Sequence, residues 1–138
     1  MITPSARLAI VDDDASVRKA LARLLGLYNY SPQTFGSARE FLDSLRIGIP
    51  ECLILDLQMP DMTGLELQSE LARLGVNIPT IIVTAHNDFR DKCRAAGATA
   101  YLVKPLDKTS LLDAVDSAIQ RRSTLAPECS PGPSARGI

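Results

Sequence analysis

Four short apolar runs in this 138-residue chain each end on residues that can do chemistry. Arg7 to Val11 leads into Asp12-Asp13-Asp14, Cys52 to Leu55 into Asp56, Thr80 to Val83 into Thr84, and Ala100 to Val103 into Lys104. The run Cys52-Leu53-Ile54-Leu55 suits a strand buried on both faces, as in a parallel sheet. Ligands of such sheets sit beyond the carboxyl ends of the strands, so these residues would share one edge. The carboxylates of Asp12, Asp13 and Asp56 would then converge. Two carboxylates about 4 Å apart repel by about 4 kcal/mol at an effective dielectric of about 20, so the cluster calls for a cation. Hard oxygen donors, with no His or Cys in the pattern, favour Mg²⁺ or Mn²⁺ over zinc. Lys104 brings a compact positive charge for phosphate oxygens, and Thr84 brings a hydroxyl donor. A phosphoryl substrate fits this set.

The elements that must carry these groups alternate. After Asp14, the residues Val17, Ala20, Leu21, Leu24 and Leu25 recur at helical spacing, with Arg18, Lys19 and Arg23 on the outer face and Gly26 near the end. Ser31-Pro32 reads as a turn and Gln33 to Phe35 as a short second strand. Ser37-x-x-Glu40 has capping-box spacing and opens a second helix with Phe41, Leu42 and Leu45 inward, closed by Gly48 and Pro50. Pro60 stops the strand that carries Asp56, and Gly64 permits a tight turn. Thr63-x-x-Glu66 starts a third helix with Leu67, Leu71 and Leu74 as its stripe and Gly75 at its C-terminal cap. Thr80 to Thr84 is a β-branched strand. The fourth helix, roughly Asp88 to Ala96, has the thinnest pattern: Phe89, Cys93 and Ala96. A fifth strand ends at Lys104-Pro105, and Leu111, Leu112, Val115, Ala118 and Ile119 mark a fifth helix. Strand then helix, five times over, implies an α/β doubly wound parallel sheet with helices on both faces. From Ser123 onward Pro, Ser and Gly take over, so the chain divides into a domain over 1–122 and a linker or tail over 123–138.

Composition narrows the function classes. An apolar content of 46% and a charged content of 22% are those of a globular domain. A net charge of -1, with no basic stripe, argues against direct nucleic-acid binding and gives no pull toward a membrane surface. Three widely spaced cysteines suggest neither a disulfide framework nor a zinc site. No stretch reaches membrane-spanning length and no signal peptide is evident, which makes the cytoplasm the expected compartment.

Val11-Asp12-Asp13, Asp56-x-x-Met59-Pro60-x-x-x-Gly64, Thr84-Ala85 and Lys104-Pro105, in this order, resemble the receiver domain of bacterial two-component response regulators, across about residues 7–122. The resemblance implies a flavodoxin-like, CheY-like fold of five parallel strands in order 2-1-3-4-5 flanked by five helices. It implies Asp56 as phosphoacceptor, and Asp13, Asp56 and the backbone carbonyl of Gln58 as Mg²⁺ ligands, with Asp12 on metal-bound water. Lys104 would pair with Asp56 and then with the phosphoryl group, while Thr84 would bond a phosphoryl oxygen. Tyr101 matches an aromatic that swings inward as Thr84 moves, and Lys104-Pro105 would be cis. The donor would be a sensor histidine kinase. The domain would catalyse only its own phosphorylation and dephosphorylation and is not otherwise an enzyme.

Thr84-Ala85-His86-Asn87-Asp88 and Leu111-Leu112-Asp113-Ala114-Val115 look like receivers of the FixJ kind, which precede a LuxR-type DNA-binding effector. That resemblance implies transcriptional output through an effector absent from this chain, so DNA is reached only indirectly, and a phosphorylation-induced homodimer. Gln58 stands where FixJ-like receivers often carry Arg. Gln58 and His86, each two residues beyond an active-site residue, are expected to tune the phosphoryl lifetime. Three other readings compete: a free-standing receiver, a pseudo-receiver that binds without phosphorylation, and an Asp-nucleophile phosphatase. The complete acid, threonine and lysine set opposes the second. Gln58 in place of a second Asp opposes the third.

Overall fold

The computed structural model describes residues 6–59, 62–85 and 88–125, with side chains of the last helix described through Gln120. Five strands alternate with five helices: β1 (Arg7–Val11), α1 (Ala15–Leu27), β2 (Ser31–Phe35), α2 (Ala38–Ser44), β3 (Cys52–Asp56), α3 (Gly64–Arg73), β4 (Thr80–Thr84), α4 (Arg90–Ala95), β5 (Ala100–Val103) and α5 (Lys108–Leu125). All strand pairings are parallel, in the order β2-β1-β3-β4-β5. The order reverses between β1 and β3, which is the switch point where such sheets place their ligands.

Alternation along the strands sorts side chains to two faces. Ala9, Val11, Leu53, Leu55 and Ile82 pack against Phe41 of α2, Leu67 and Leu71 of α3, and Cys93 of α4. Leu8, Ile10, Ile54, Ile81 and Val83 pack against Leu21 and Leu25 of α1 and Leu111, Val115 and Ala118 of α5. β3 and β4 are buried at every residue, as central parallel strands are.

Several local readings shift. β2 begins at Ser31, so Pro32 lies within a strand rather than in a turn, paired with Leu8. The edge position of β2 permits this, because an edge strand does not need every N–H for the ladder. α2 stops at Ser44, short of Gly48 and Pro50, and α4 covers only Arg90–Ala95. Leu74 was expected in the buried stripe of α3 but is 49% exposed, whereas Gln68 is buried. α5 is described through Leu125, three residues past the expected boundary. Among the described residues, no helix is long and apolar enough to cross a membrane.

Three helices close with the same backbone device. Val76 N–H donates to Leu71, Ala98 to Cys93, and Tyr30 to Leu25. The residue that turns the chain is Gly75, Gly97 or Asn29, each at positive φ. These are Schellman closures, and Asn29 serves α1 where Gly26 was the nearer glycine.

Candidate functional site

Asp12 and Asp56 leave the sheet side by side because β1 and β3 are paired, with Val11 opposite Leu55. One ligand atom from each of Asp12, Asp13 and Asp56 can be chosen so that all lie within 4.8 Å of one another. Asp12 and Asp56 are buried and Asp13 is exposed, so the cluster opens to solvent on one side. Lys104 reaches in from the end of β5. Its Nζ lies 3.3 Å from Asp12 Oδ2 and 3.9 Å from Asp56 Oδ1. The expected pairing with Asp56 is thus present, but the nearer partner is Asp12. Burial, and after it the charge of Asp12, push the Asp56 carboxyl up to about 6, against the opposing pull of Lys104.

The surrounding loops are fixed by the sequence. Asp12 Oδ1 accepts from Asp14 N–H at 2.9 Å. Asp14 caps α1, accepting from Ser16 and Val17 N–H, as its place ahead of the helix suggests. Thr63 and Glu66 form the reciprocal capping box that the spacing predicts, at 3.1 and 2.8 Å. The similar pattern at Ser37 closes differently: Ser37 accepts from Glu40 N–H, but the Glu40 carboxylate takes Gly36 N–H. Gly64 is required by close approach, not by positive φ. A Cβ there would stand 2.9 Å from the Asp56 carbonyl oxygen and 3.0 Å from Leu57 Cα. Its N–H donates to Leu57 O at 2.8 Å, which ties the start of α3 to the loop behind Asp56.

The remaining expected residues fall around this edge. Thr84 ends β4 and is buried, and its carbonyl accepts from Lys104 N–H at 2.7 Å. The Lys104-Pro105 peptide is cis. Tyr101, on β5, is buried, with the Arg90 guanidinium 5.0 Å from its ring centroid. Gln58 is exposed, and its N–H lies 3.5 Å from Asp56 Oδ1. His86 lies outside the described residues. Two residues escaped the sequence reading. Arg18, assigned to the outer face of α1, is half-buried and donates from Nη1 to the Asp12 carbonyl at 2.7 Å. Gln68 is buried between α3 and the end of α4. The spacing of Arg18, one turn past the Asp14 cap, was a usable signal; a lone Gln beside a Leu stripe was not.

With this geometry in place, the comparisons are direct. The model of the response regulator receiver domain family matches residues 8–116. Nodulation protein W of Bradyrhizobium diazoefficiens is 42% identical over 114 residues, which cover 81% of this chain and 50% of that protein. Transcriptional regulatory protein FixJ of Rhizobium meliloti is 39% identical over 114 residues, covering 79% of this chain and 54% of that protein. A solved response regulator receiver protein from Burkholderia phymatum superposes with a TM-score of 0.76 at 40% identity, covering 84% of this chain and 96% of that one. The chain belongs to the response regulator receiver domain family and is a receiver of the two-component kind. It spans about half the length of the curated relatives it matches.

Proposed function

We propose that this receiver accepts a phosphoryl group on Asp56 from a sensor histidine kinase and passes the change of state to an output partner. The observation that carries the reading is the meeting of Asp12, Asp13 and Asp56 within 4.8 Å, with the Lys104 ammonium against two of them. Three carboxylates against one ammonium leave an excess of negative charge at a half-open, oxygen-lined edge. Such a set fits a hard divalent cation, Mg²⁺ or Mn²⁺, and lacks the soft donors that zinc prefers. Asp13, Asp56 and the Gln58 carbonyl would hold it, with Asp12 on a bound water. When bound, the cation supplies neutralisation of the charge spread over phosphoryl oxygens.

The chain's own groups do the rest. An Asp56 oxygen attacks phosphorus as the bond to the donor nitrogen breaks, which requires the carboxylate form. Lys104, already beside Asp56, gives its charge to the phosphoryl oxygens. Thr84, at the next strand end, donates its hydroxyl to one of them after transfer. Tyr101 and α4 lie beyond Thr84 and carry the change outward. Gln58, exposed beside the site, is placed to influence the water that later hydrolyses the acyl phosphate, and the lifetime role of His86 rests on its sequence offset alone.

The output reading rests on the relatives. FixJ carries the name of a transcriptional regulatory protein and is about twice as long as the stretch matched here. A cytoplasmic transcriptional output, reached through a further domain and through pairing of two receivers, follows from that likeness, with the residues after Leu125 as the linker. The test is intact-mass measurement after incubation with acetyl phosphate and Mg²⁺. A single phosphoryl mass gain is expected for the parent, lost without divalent metal and lost in Asp56→Asn. A gain that persists in Asp56→Asn would overturn the assignment.

A further inference from the structure

Gln68 is a buried polar side chain with one of its two amide atoms unpartnered among the described residues. It is 5% exposed, on the inner side of α3. Its Nε2 donates to the Ala96 carbonyl, at the C-terminal end of α4, at 3.5 Å, which is the long limit of such a bond. Its Oε1 has less than 1 Å² of accessible surface and no hydrogen-bond partner among the described residues. Reversing the amide would set Oε1 against the Ala96 carbonyl, acceptor against acceptor, so this orientation is the better one. Oε1 is all but sealed from the neighbouring cavity in this packing, so a donor reaches it freely only if the packing changes. A buried acceptor without a donor costs about 1–3 kcal/mol.

The neighbour that can yield is α4. It is a six-residue helix with no side-chain cap at its start, and Cys93 is its buried residue. A cavity of about 330 Å³, lined by Gln68, Leu71, Val76, Ile78, Ala96 and Gly97 among others, leaves room at its C-terminal turn. The opposite end of α4 holds Arg90, which stacks on Tyr101 next to the strand end that carries Lys104.

We propose that Gln68 is a polar latch between α3 and α4 that keeps α4 close to the balance point between two seats. In the closed seat the amide holds the Ala96 carbonyl weakly, while its own oxygen goes unsatisfied. Any displacement of the α4 C-terminal turn that opens the cavity lets a donor reach Oε1 and relieves that cost. The penalty belongs to the closed seat alone, so it offsets the packing that favours closure. A signal of modest size at the Thr84 end then suffices to move the helix. This purpose rests on the phosphoryl-switch reading, but the latch itself operates in the unphosphorylated protein and is tested there.

Two variants separate the parts. Gln68→Met conserves volume and removes the orphaned oxygen, so closure is favoured. Gln68→Asn keeps the amide but is too short to span to Ala96, so closure is weakened. The readout is hydrogen exchange at the amides of Ala96, Gly97 and Ala98, which donate to Lys92, Arg94 and Cys93 and report opening of α4. The reference is the amide of Leu53, bonded to Pro79 at the start of the β3–β4 pairing inside the sheet. Exchange at the three α4 amides should slow at least ~5-fold in Gln68→Met and quicken by about as much in Gln68→Asn, with Leu53 unmoved. A merely structural role would shift α4 and Leu53 together. Common shifts, or α4 rates unchanged in Gln68→Met, overturn the latch. If Gln68→Asn does not fold, the Met variant decides alone. Failure of Asp56 to take phosphate leaves these rates untouched, so the two readings fail separately.

Discussion

The acidic edge and the α4 corner share one sheet but are held in opposite ways. Asp12 and Asp56 extend from β1 and β3, which both have strand neighbours on either side. Their loops are tied by the Asp14 cap, the Thr63 capping box, the Arg18 bond to the Asp12 carbonyl and the close fit of Gly64. α4 is short, lacks a side-chain cap and is tied to α3 by a long hydrogen bond from Gln68. On the proposed function, phosphoryl transfer would depend on position, and the groups assigned to it sit on this well-tied edge. A reporter would need two positions of nearly equal energy, and the proposed latch draws it from this less-tied corner. Each variant below breaks one side of this contrast and should leave the other as it is.

The largest effect is expected at Gly64. A Cβ would meet the Asp56 carbonyl oxygen and Leu57 Cα, both backbone atoms with no side chain to swing aside. Gly64→Ala should cost about 1–3 kcal/mol in urea melts, the usual cost of overpacking. It should also lower the yield of Asp56 phosphorylation, because the displaced backbone carries the acceptor. Exchange at the α4 amides, corrected for the global loss, should stay put. A loss under about 0.5 kcal/mol, the level of an ordinary surface change, would show that the loop behind Asp56 is not rigid.

Asp56→Asn acts on the same edge with the opposite sign. In the folded chain the carboxyl of Asp56 titrates at about 6, against 3.8 in its ordinary setting. Between those values the native state binds the proton more tightly than the unfolded state, so stability falls as pH rises through that window. Above about pH 6 the ionised acid is a standing cost. Without divalent metal, Asp56→Asn should therefore be more stable than the parent at pH 7 by about 1–2 kcal/mol, a figure reduced for solvent screening at the half-open site. The gap should close as pH falls from 6 toward 4. Denaturant melts across roughly pH 3.5 to 7.5 check this (that window brackets both values), and a gap independent of pH would remove the repulsion argument.

The same contrast governs what could be read from sequence. Buried parallel strands ending in acids leave a continuous apolar run and then a carboxylate, so β3, Asp12, Asp56 and the shared edge were all legible. Caps carry fixed offsets, which is why Thr63 and Glu66 were found. The second box misled in part, because the Glu40 side chain reaches one residue further back, to Gly36. Pro32 concealed the start of β2, since only the sheet order reveals it as an edge strand. Leu74 was placed inside by periodicity, but it is the C-cap of α3, where the helical face no longer continues. Gln68 and the Lys104–Asp12 pairing depend on contacts across 28 and 92 residues of chain, and no local pattern encodes them.

The smallest effect is expected at Arg90, at the first turn of α4. Its guanidinium sits 5.0 Å from the Tyr101 ring centroid, within range of a cation–π attraction. Tyr101 is 8% exposed, whereas Arg90 is exposed, so the stack covers the ring from the solvent side. Exposed stacks of this kind contribute about 0.5–1 kcal/mol, too little to show the coupling by a melt alone. A local probe is available because the chain holds three tyrosines and no tryptophan. Biosynthetic 3-fluorotyrosine gives one fluorine signal each for Tyr28, Tyr30 and Tyr101. In Arg90→Ala the Tyr101 signal should become sensitive to solvent, while Tyr30 and Tyr28, on the side of α1, keep their shifts. Arg90→Lys should recover only part of the effect, since an ammonium stacks on a ring less well than a planar guanidinium. If Tyr101 stays shielded in Arg90→Ala, the core and its hydrogen bond with the Phe89 backbone hold the ring, and the stack is not what couples α4 to β5.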